Sequence, residues 1–125
     1  MNDYEQIRKL KVNTERYVGK GYTLCINFET GDVDWADDQL FYQKPKKIKT
    51  LSKVELSQLL KNFKTVELLD WKGKYYDLKS INGEIWTVTI EFDEDIRKIT
   101  GTTIHPASWN IFCNVLSAVS TKSLL

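Results

Sequence analysis

Residues 22–35 read YTLCINFETGDVDW, and this stretch predicts the first part of the fold. Every second residue of its first half is apolar, the alternation of a strand with one buried face: Tyr22, Leu24, Ile26 and Phe28. A turn over residues 29–32 follows, with Gly31 at a position that favours positive φ, and the alternation resumes at Val33 and Trp35. Residues 7–12 read as an earlier strand, closed by a loop over residues 17–21. We therefore expect a three-stranded meander.

The hydrophobic period changes after this meander. Residues 43–50 contain Pro45 and four lysines, which favours a solvated connection over a strand in the middle of a sheet. Ser52 and Glu55 have capping-box spacing, and the apolar stripe of an amphipathic helix follows: Leu56, Leu59, Leu60 and Phe63. Residues 66–71 fit either a kinked continuation of this helix or a short extended segment.

The second half of the sequence predicts another meander. Residues 75–81 and 85–92 flank Asn82-Gly83, the dipeptide typical of a tight hairpin turn. A further strand is expected over residues 96–100. Pro106 suits the first turn of a closing helix, whose apolar stripe is then listed as Trp109, Phe112, Cys113, Leu116 and Val119. We expect the tail from Ser120 to be frayed.

These elements predict a single α+β domain over residues 1–125, in the order βββ-α-βββ-α. We expect an antiparallel sheet of five or six strands with both helices on one face. The opposite face would then be exposed to solvent, with these side chains on it: Thr23, Cys25, Asn27, Thr87, Thr89 and Glu91. The N-terminal residues are polar where a secretory signal would be apolar, and no apolar run approaches the length of a membrane span, so a cytoplasmic protein without membrane contact is expected.

The chain resembles a family of small bacterial proteins known only as a domain of unknown function. The resemblance rests on these residues: Tyr22-Thr23-Leu24, Thr30-Gly31, Leu51-Ser52, Trp71, Tyr75, the tryptophan-bearing hairpin of residues 82–90, Gly101, His105-Pro106 and Trp109. His105 stands where the family pattern has a tyrosine, so no role of a ring hydroxyl carries over. The resemblance implies an α+β fold in a cytosolic protein of Gram-positive bacteria, and it implies no activity.

Few residues of the sequence suggest a catalytic, metal-binding or cofactor-binding site. His105 is the only histidine, and no motif places a nucleophile beside it, so we expect a packing or capping role and no catalytic residue. The acidic clusters at residues 32–38 and 91–95 lack the glycine and the glutamate of a calcium loop. Cys25 and Cys113 are far apart in sequence and match no zinc pattern. The sequence therefore predicts no metal and no cofactor.

The most unusual feature is a lysine run. Residues 44–64 hold seven lysines and one acid, Glu55. Aromatic residues stand close to this run, and tryptophan is enriched in binding hot spots. The candidate interaction surface comprises Trp35, Phe41, Tyr42, Lys44, Lys46, Lys47, Lys49 and Trp71.

From this surface we expect a non-enzymatic protein-interaction module with an unknown protein partner, or a homodimer formed through the open face or an edge strand. A sensor or small enzyme with a pocket near Trp71, Tyr75 and Tyr76 is one alternative. A nucleic-acid binder is another, which the absence of arginine from the lysine run disfavours.

Overall fold

The computed structural model describes residues 3–16, 21–38, 44–76 and 84–124. Its strands are β1 (Lys9–Arg16), β2 (Gly21–Asn27), β3 (Asp32–Asp38), β4 (Lys46–Thr50), β5 (Lys74–Tyr75), β6 (Glu84–Glu91) and β7 (Ile96–Gly101). Its α-helices are α1 (Lys53–Thr65) and α2 (Trp109–Ser120), and 3-10 turns occur at Tyr4–Gln6 and Leu68–Asp70. The predicted α+β class is confirmed.

The sheet differs from the predicted one in strand number and direction. It has seven strands in the order β4-β3-β2-β1-β6-β7-β5. Its neighbours are antiparallel except β5 and β7, which run parallel, so the sheet is mixed. The expectation of five or six antiparallel strands was wrong because it missed β4 and misplaced β5.

The lysine-bearing segment forms a strand at the edge of the sheet. β4 pairs with β3 alone among the described strands, with an irregularity in register between Val33 and Asp34. An edge strand that buries little shows no apolar alternation, because solvent reaches both of its faces. The prediction of a mere connection here was therefore wrong, although it correctly kept this segment out of the middle of the sheet.

The other edge strand forms through long-range pairing. Lys74 and Tyr75 lie beside Thr100 and Gly101 in β7. The predicted hairpin would have paired this segment with residues 85–92, but β1 and β7 occupy both sides of β6 over residues 86–91. The Asn82-Gly83 turn itself lies outside the described residues.

The predictions that rest on a single turn or a single helix start are confirmed. Gly31 has φ of 84°, and a Cβ atom there would lie 2.3 Å from the Leu51 carbonyl oxygen, so the β2–β3 turn requires glycine. Ser52 caps α1 through the predicted reciprocal bonds with Glu55. Residues 66–71 follow neither alternative, because Glu67 turns the chain with φ of 57° into the 3-10 turn at Leu68–Asp70.

One buried cluster joins both helices to the sheet. Phe63 of α1 contacts Phe28 and Phe112, and Trp109 of α2 contacts Trp86. The apolar residues that alternate along β1, β2 and β6 face this cluster. Both helices thus cover one face of the sheet. On the opposite face, Thr23 is buried rather than exposed as predicted, and Asn13 donates to its Oγ1 at 2.7 Å.

The closing segment is more ordered than the sequence indicated. α2 begins at Trp109, after Ser108, so Pro106 precedes the helix instead of occupying its first turn. Leu124 is only 2% exposed, and its carbonyl oxygen accepts a bond from the Tyr22 hydroxyl at 3.1 Å. The expectation of a frayed tail was wrong for this part, because the buried Leu124 is held by the Tyr22 hydroxyl and by its own amide, which donates to Ser117 Oγ at 3.1 Å. Neither described helix has the length and apolar character needed to cross a membrane.

Candidate functional site

Strand β4 brings most of the predicted lysines to one edge of the sheet. Lys46, Lys47 and Lys49 lie in β4, and Lys44 lies two residues before it. Lys49 is half-buried, and the other three are exposed. Lys46 is opposite Trp35 and Lys47 is opposite Asp34, so adjacent lysines point to different faces of the sheet. We call these four residues the lysine edge.

Only part of this charge is neutralised by the neighbouring strand. Lys47 Nζ lies 3.8 Å from Asp32 Oδ1, which also accepts a bond from Thr50 Oγ1 at 3.1 Å. Within the part of the chain that the structure describes, Lys44, Lys46 and Lys49 form no ion pair. Most of the charge of the lysine edge is therefore not neutralised by ion pairs among the described residues.

Trp35 adjoins the lysine edge but is not fully exposed. Its ring stacks on Tyr22, with centroids 5.0 Å apart and planes at 11°, and the Lys122 ammonium lies 5.9 Å from the ring centre. Its Nε1 donates to Asp37 Oδ1 at 3.0 Å. A cation over an indole ring is attracted by the negative face of the π system. Trp35 is thus half-buried, with part of its ring accessible to solvent beside β4.

Of the other aromatic candidates, Trp71 alone lies within the described residues, and it does not join this surface. Phe41 and Tyr42 lie outside the described ranges. Trp71 is buried, and its Nε1 donates to the Val66 carbonyl oxygen at 3.2 Å and to Ser108 Oγ at 3.1 Å. It packs on Phe112 and Trp109 near the β7 end of the sheet, so it belongs to the core.

A groove of about 310 Å³ lies over Trp71 and Tyr75, where the sequence suggested a pocket. Its lining does not include Tyr76. The polar atoms of its aromatic residues already have partners, since Trp71 Nε1 is bonded as described and the Tyr75 hydroxyl accepts a bond from the Lys72 amide at 2.9 Å. The polar atoms of these two aromatic side chains are therefore bonded within the protein, whereas the lining also includes the charged residues Glu67, Asp70 and Lys72.

His105 is held in an aromatic cluster. Its ring stacks on Trp109 and Trp86 at 4.7 and 5.7 Å between centroids, and its Nε2 lies 2.9 Å from Glu84 Oε1. Trp86 Nε1 donates to the carbonyl oxygens of Thr102 and Ile104. Ser108 Oγ, the nearest serine in sequence, donates to the Val66 carbonyl oxygen. The arrangement is that of a packed, bonded histidine.

The two cysteines occupy different environments. Cys25 is half-buried in β2 on the face away from the helices, and Cys113 is buried in α2. Burial raises the pKa of the Cys113 thiol to about 12, and the charge of Glu84 adds to that shift. Burial also raises the pKa of Cys25, with Lys11 opposing it. Among the described residues no cluster of three or more His, Cys, Asp or Glu side chains could hold a metal ion.

Arg97 is a further residue of interest, and the sequence did not single it out. It is opposite Ile90 in the β6–β7 pair, and Ile90 is fully buried, so the arginine occupies a core-facing position of β7. Alternation along β7 does not by itself show which face is buried, because Ile96 and Ile99 lie on different faces, so the burial of this position follows only from the register against β6. An arginine in the register of buried residues indicates a specific partner.

No family model matches the chain, and no curated protein matches its sequence. The family resemblance described above therefore stays a prediction.

Proposed function

We propose that this protein is a non-enzymatic interaction module of the bacterial cytosol that binds an acidic protein partner through its lysine edge. The observation that carries the proposal is an exposed edge strand whose lysines are mostly unpaired within the described residues. Positive charge that the fold does not neutralise favours association with a negative surface. Trp35 supplies apolar area beside it.

The charge also argues for a different protein as the partner. If two copies paired through β4, lysines of one strand would face lysines of the other, and like charges across a strand pair are destabilising. Lysines on an edge strand hinder self-association in this way. A partner with glutamate or aspartate side chains would gain attraction from the same residues.

Paired charge-reversal variants test the proposal. Affinity capture from the native host is compared for the wild type, for Lys46→Glu/Lys49→Glu on β4, and for Lys61→Glu/Lys64→Glu on the exposed surface of α1. Both variants change the net charge equally. We expect a captured protein that is lost with the β4 variant, is retained with the α1 variant, and rebinds in purified form with an affinity that falls as salt rises.

Three results would contradict the proposal. They are equal capture by both variants, sedimentation of the wild type as a dimer that the β4 variant abolishes, and steep salt-dependent retention on DNA or RNA that the β4 variant abolishes. The second would point to self-association, and the third to nucleic-acid binding.

A further inference from the structure

Strand β7 has an open edge over residues 96–99. β5 pairs with β7 at Thr100 and Gly101, and the part of β7 before Thr100 has β6 as its single strand neighbour among the described residues. A free strand edge presents unpaired N–H and C=O groups that another chain can join. This open edge lies at the opposite side of the sheet from the lysine edge.

The pairing with β5 identifies which backbone groups this edge leaves unused. The Thr100 amide donates to the Gly73 carbonyl oxygen at 3.0 Å, so the even-numbered residues of β7 direct their N–H and C=O groups away from β6. The Ile96 amide already donates to Asp95 Oδ1 at 2.9 Å. The N–H and C=O of Lys98 and the C=O of Ile96 have no hydrogen-bond partner among the described residues.

A cavity of about 450 Å³ lies along this open edge. Ile96 and Lys98 are on the face of β7 that is away from the helices, and Arg97 is on the face that packs towards them, yet all three line the cavity. A cavity that is lined from both faces of one strand lies beside the edge of that strand, as an added strand does. The residues that line it are Leu69, Phe92, Asp95, Ile96, Arg97 and Lys98.

The two sides of this cavity differ in character. On the side towards the helices, Phe92 is part of the core cluster and Leu69 packs against it. On the other side, Ile96 is 62% exposed, Lys98 is exposed, and Lys74 lies on the same face because it is paired with Thr100. The side chains of an added strand alternate between these two sides. The site therefore favours a segment with an apolar side chain inward and acidic side chains outward.

We infer that the open edge of β7 binds an extended acidic segment of a partner protein, which adds a strand to the sheet. The backbone groups of Lys98 and Ile96 bond to the segment, and its alternate side chains contact the two sides of the cavity. A second copy of this chain suits the site less well, because pairing through β7 of both copies would bring their exposed lysines together. This inference does not rest on the lysine edge, which is at the other side of the sheet.

A titration of the ¹⁵N-labelled protein with the peptide acetyl-Thr-Glu-Val-Glu-Thr-amide, followed by NMR, tests the inference. Its sequence reads the same in both directions, so a parallel and an antiparallel strand can both place valine inward and the glutamates outward. We expect saturable shifts at the amides of Ile96 and Lys98, with a Kd on the order of 1 mM for so short a peptide. The Lys98 amide should exchange rapidly with solvent in the free protein and more slowly with the peptide bound.

Controls separate backbone pairing from attraction between side chains. The same peptide with N-methyl groups on its three central amides keeps every side chain but loses those donors, and it should bind at least about tenfold more weakly. Lys98→Pro removes the edge N–H without removing a bond between β6 and β7, and it should weaken peptide binding about tenfold. The matched variant Lys98→Ala keeps that N–H and should weaken binding only severalfold. Ile96→Asp alters an exposed position, should fold even if Lys98→Pro does not, and should weaken binding severalfold through charge repulsion.

The inference is overturned by any of four outcomes. These are no saturable shift up to about 10 mM peptide, equal binding of the N-methylated peptide, unchanged affinity in folded Lys98→Pro, or a Lys98 amide that is already protected from exchange in the free protein. In the last case, protection that rises with protein concentration would assign the edge to a second copy. Protection independent of concentration would assign it to another segment of the same chain.

Discussion

At the β7 end of the sheet three tryptophans pack on one another, whereas at the β4 end Trp35 lies at the margin of the core with Tyr22 stacked on its ring and the Lys122 ammonium over it. Trp86 and Trp109 have centroids 4.7 Å apart, and Trp71 lies 6.1 Å from Trp109. All three are buried, and Trp35 is half-buried. The same residue type is thus fully packed where several rings converge, and only half-buried where one tyrosine stacks on it at the margin of the core.

The largest contrast should appear on truncating the rings. Trp86→Ala removes a fully buried indole that bonds two carbonyl oxygens, and we expect it to lower the free energy of unfolding by about 3–5 kcal/mol. Trp35→Ala should cost about 1–2 kcal/mol, since part of that ring already contacts water. Urea denaturation followed by circular dichroism measures both, and Trp86→Phe supplies an intermediate variant. A similar decrease in the free energy of unfolding for Trp86→Ala and Trp35→Ala would contradict the difference in packing between the two ends of the sheet.

Thiol chemistry probes a second contrast, between the buried Cys113 in α2 and the half-buried Cys25 on the other face of the sheet, without changing the sequence. Cys113 should react with a thiol reagent about a hundredfold more slowly than Cys25, because it is buried and its pKa of about 12 leaves little thiolate at pH 8. We expect one equivalent to react rapidly in the native protein and the second to react rapidly only on unfolding. Because thiolate is the reactive form, both rates should rise with pH. Equal protection of both cysteines would mean that the face bearing Cys25 is covered.

Glycine substitutions test how closely the β7 end is packed. A Cβ atom at Gly101 would lie 2.7 Å from Cζ2 of Trp86 and 2.6 Å from the Tyr75 carbonyl oxygen. We expect Gly101→Ala to cost about 1–3 kcal/mol, as overpacking does. Gly73→Ala is the matched control, since nothing lies within 4 Å of its Cβ position. Thermal denaturation compares the two variants. An unchanged melting temperature for Gly101→Ala would show that β5 can move away from β7 at little energetic cost.

The smallest effects belong to the lysine edge. Lys47→Glu places an acid beside Asp32, so it should lower stability by about 0.5 kcal/mol at low salt and less at high salt. Lys46→Glu and Lys49→Glu, which break no ion pair among the described residues, should change stability by less than that. Three identical melting temperatures at low salt would mean that the Lys47–Asp32 pair contributes nothing.

How much the sequence could predict depended on the range of the interactions. The α1 cap and the Gly31 turn are set within a few residues, and both were predicted correctly. β4 was missed because it buries little, and β5 was misplaced because a parallel pairing with β7 leaves no local pattern.

The residues of the candidate site show the same difference between local signals, which could be predicted, and long-range contacts, which could not. Trp71 could not be assigned to the core from spacing alone, since its partners Ser108 and Phe112 are more than thirty residues away in the chain. Arg97 was recognisable only once the register of β7 against β6 was known. The four lysines of the lysine edge, by contrast, could be identified from the composition of residues 43–50 alone.

The pairing of β1 with β6 also determines the order in which the molecule can assemble. Lys9 lies opposite Glu91, so the middle of the sheet joins segments from opposite parts of the chain. During synthesis β1 to β4 and α1 emerge first, and until β6 follows, β1 presents an open edge with Leu10 and Val12 beside it. Pairings over such distances in sequence slow folding and expose strand edges in the meantime. A nascent chain that stalls before residue 84 would therefore be prone to aggregate through its middle strand.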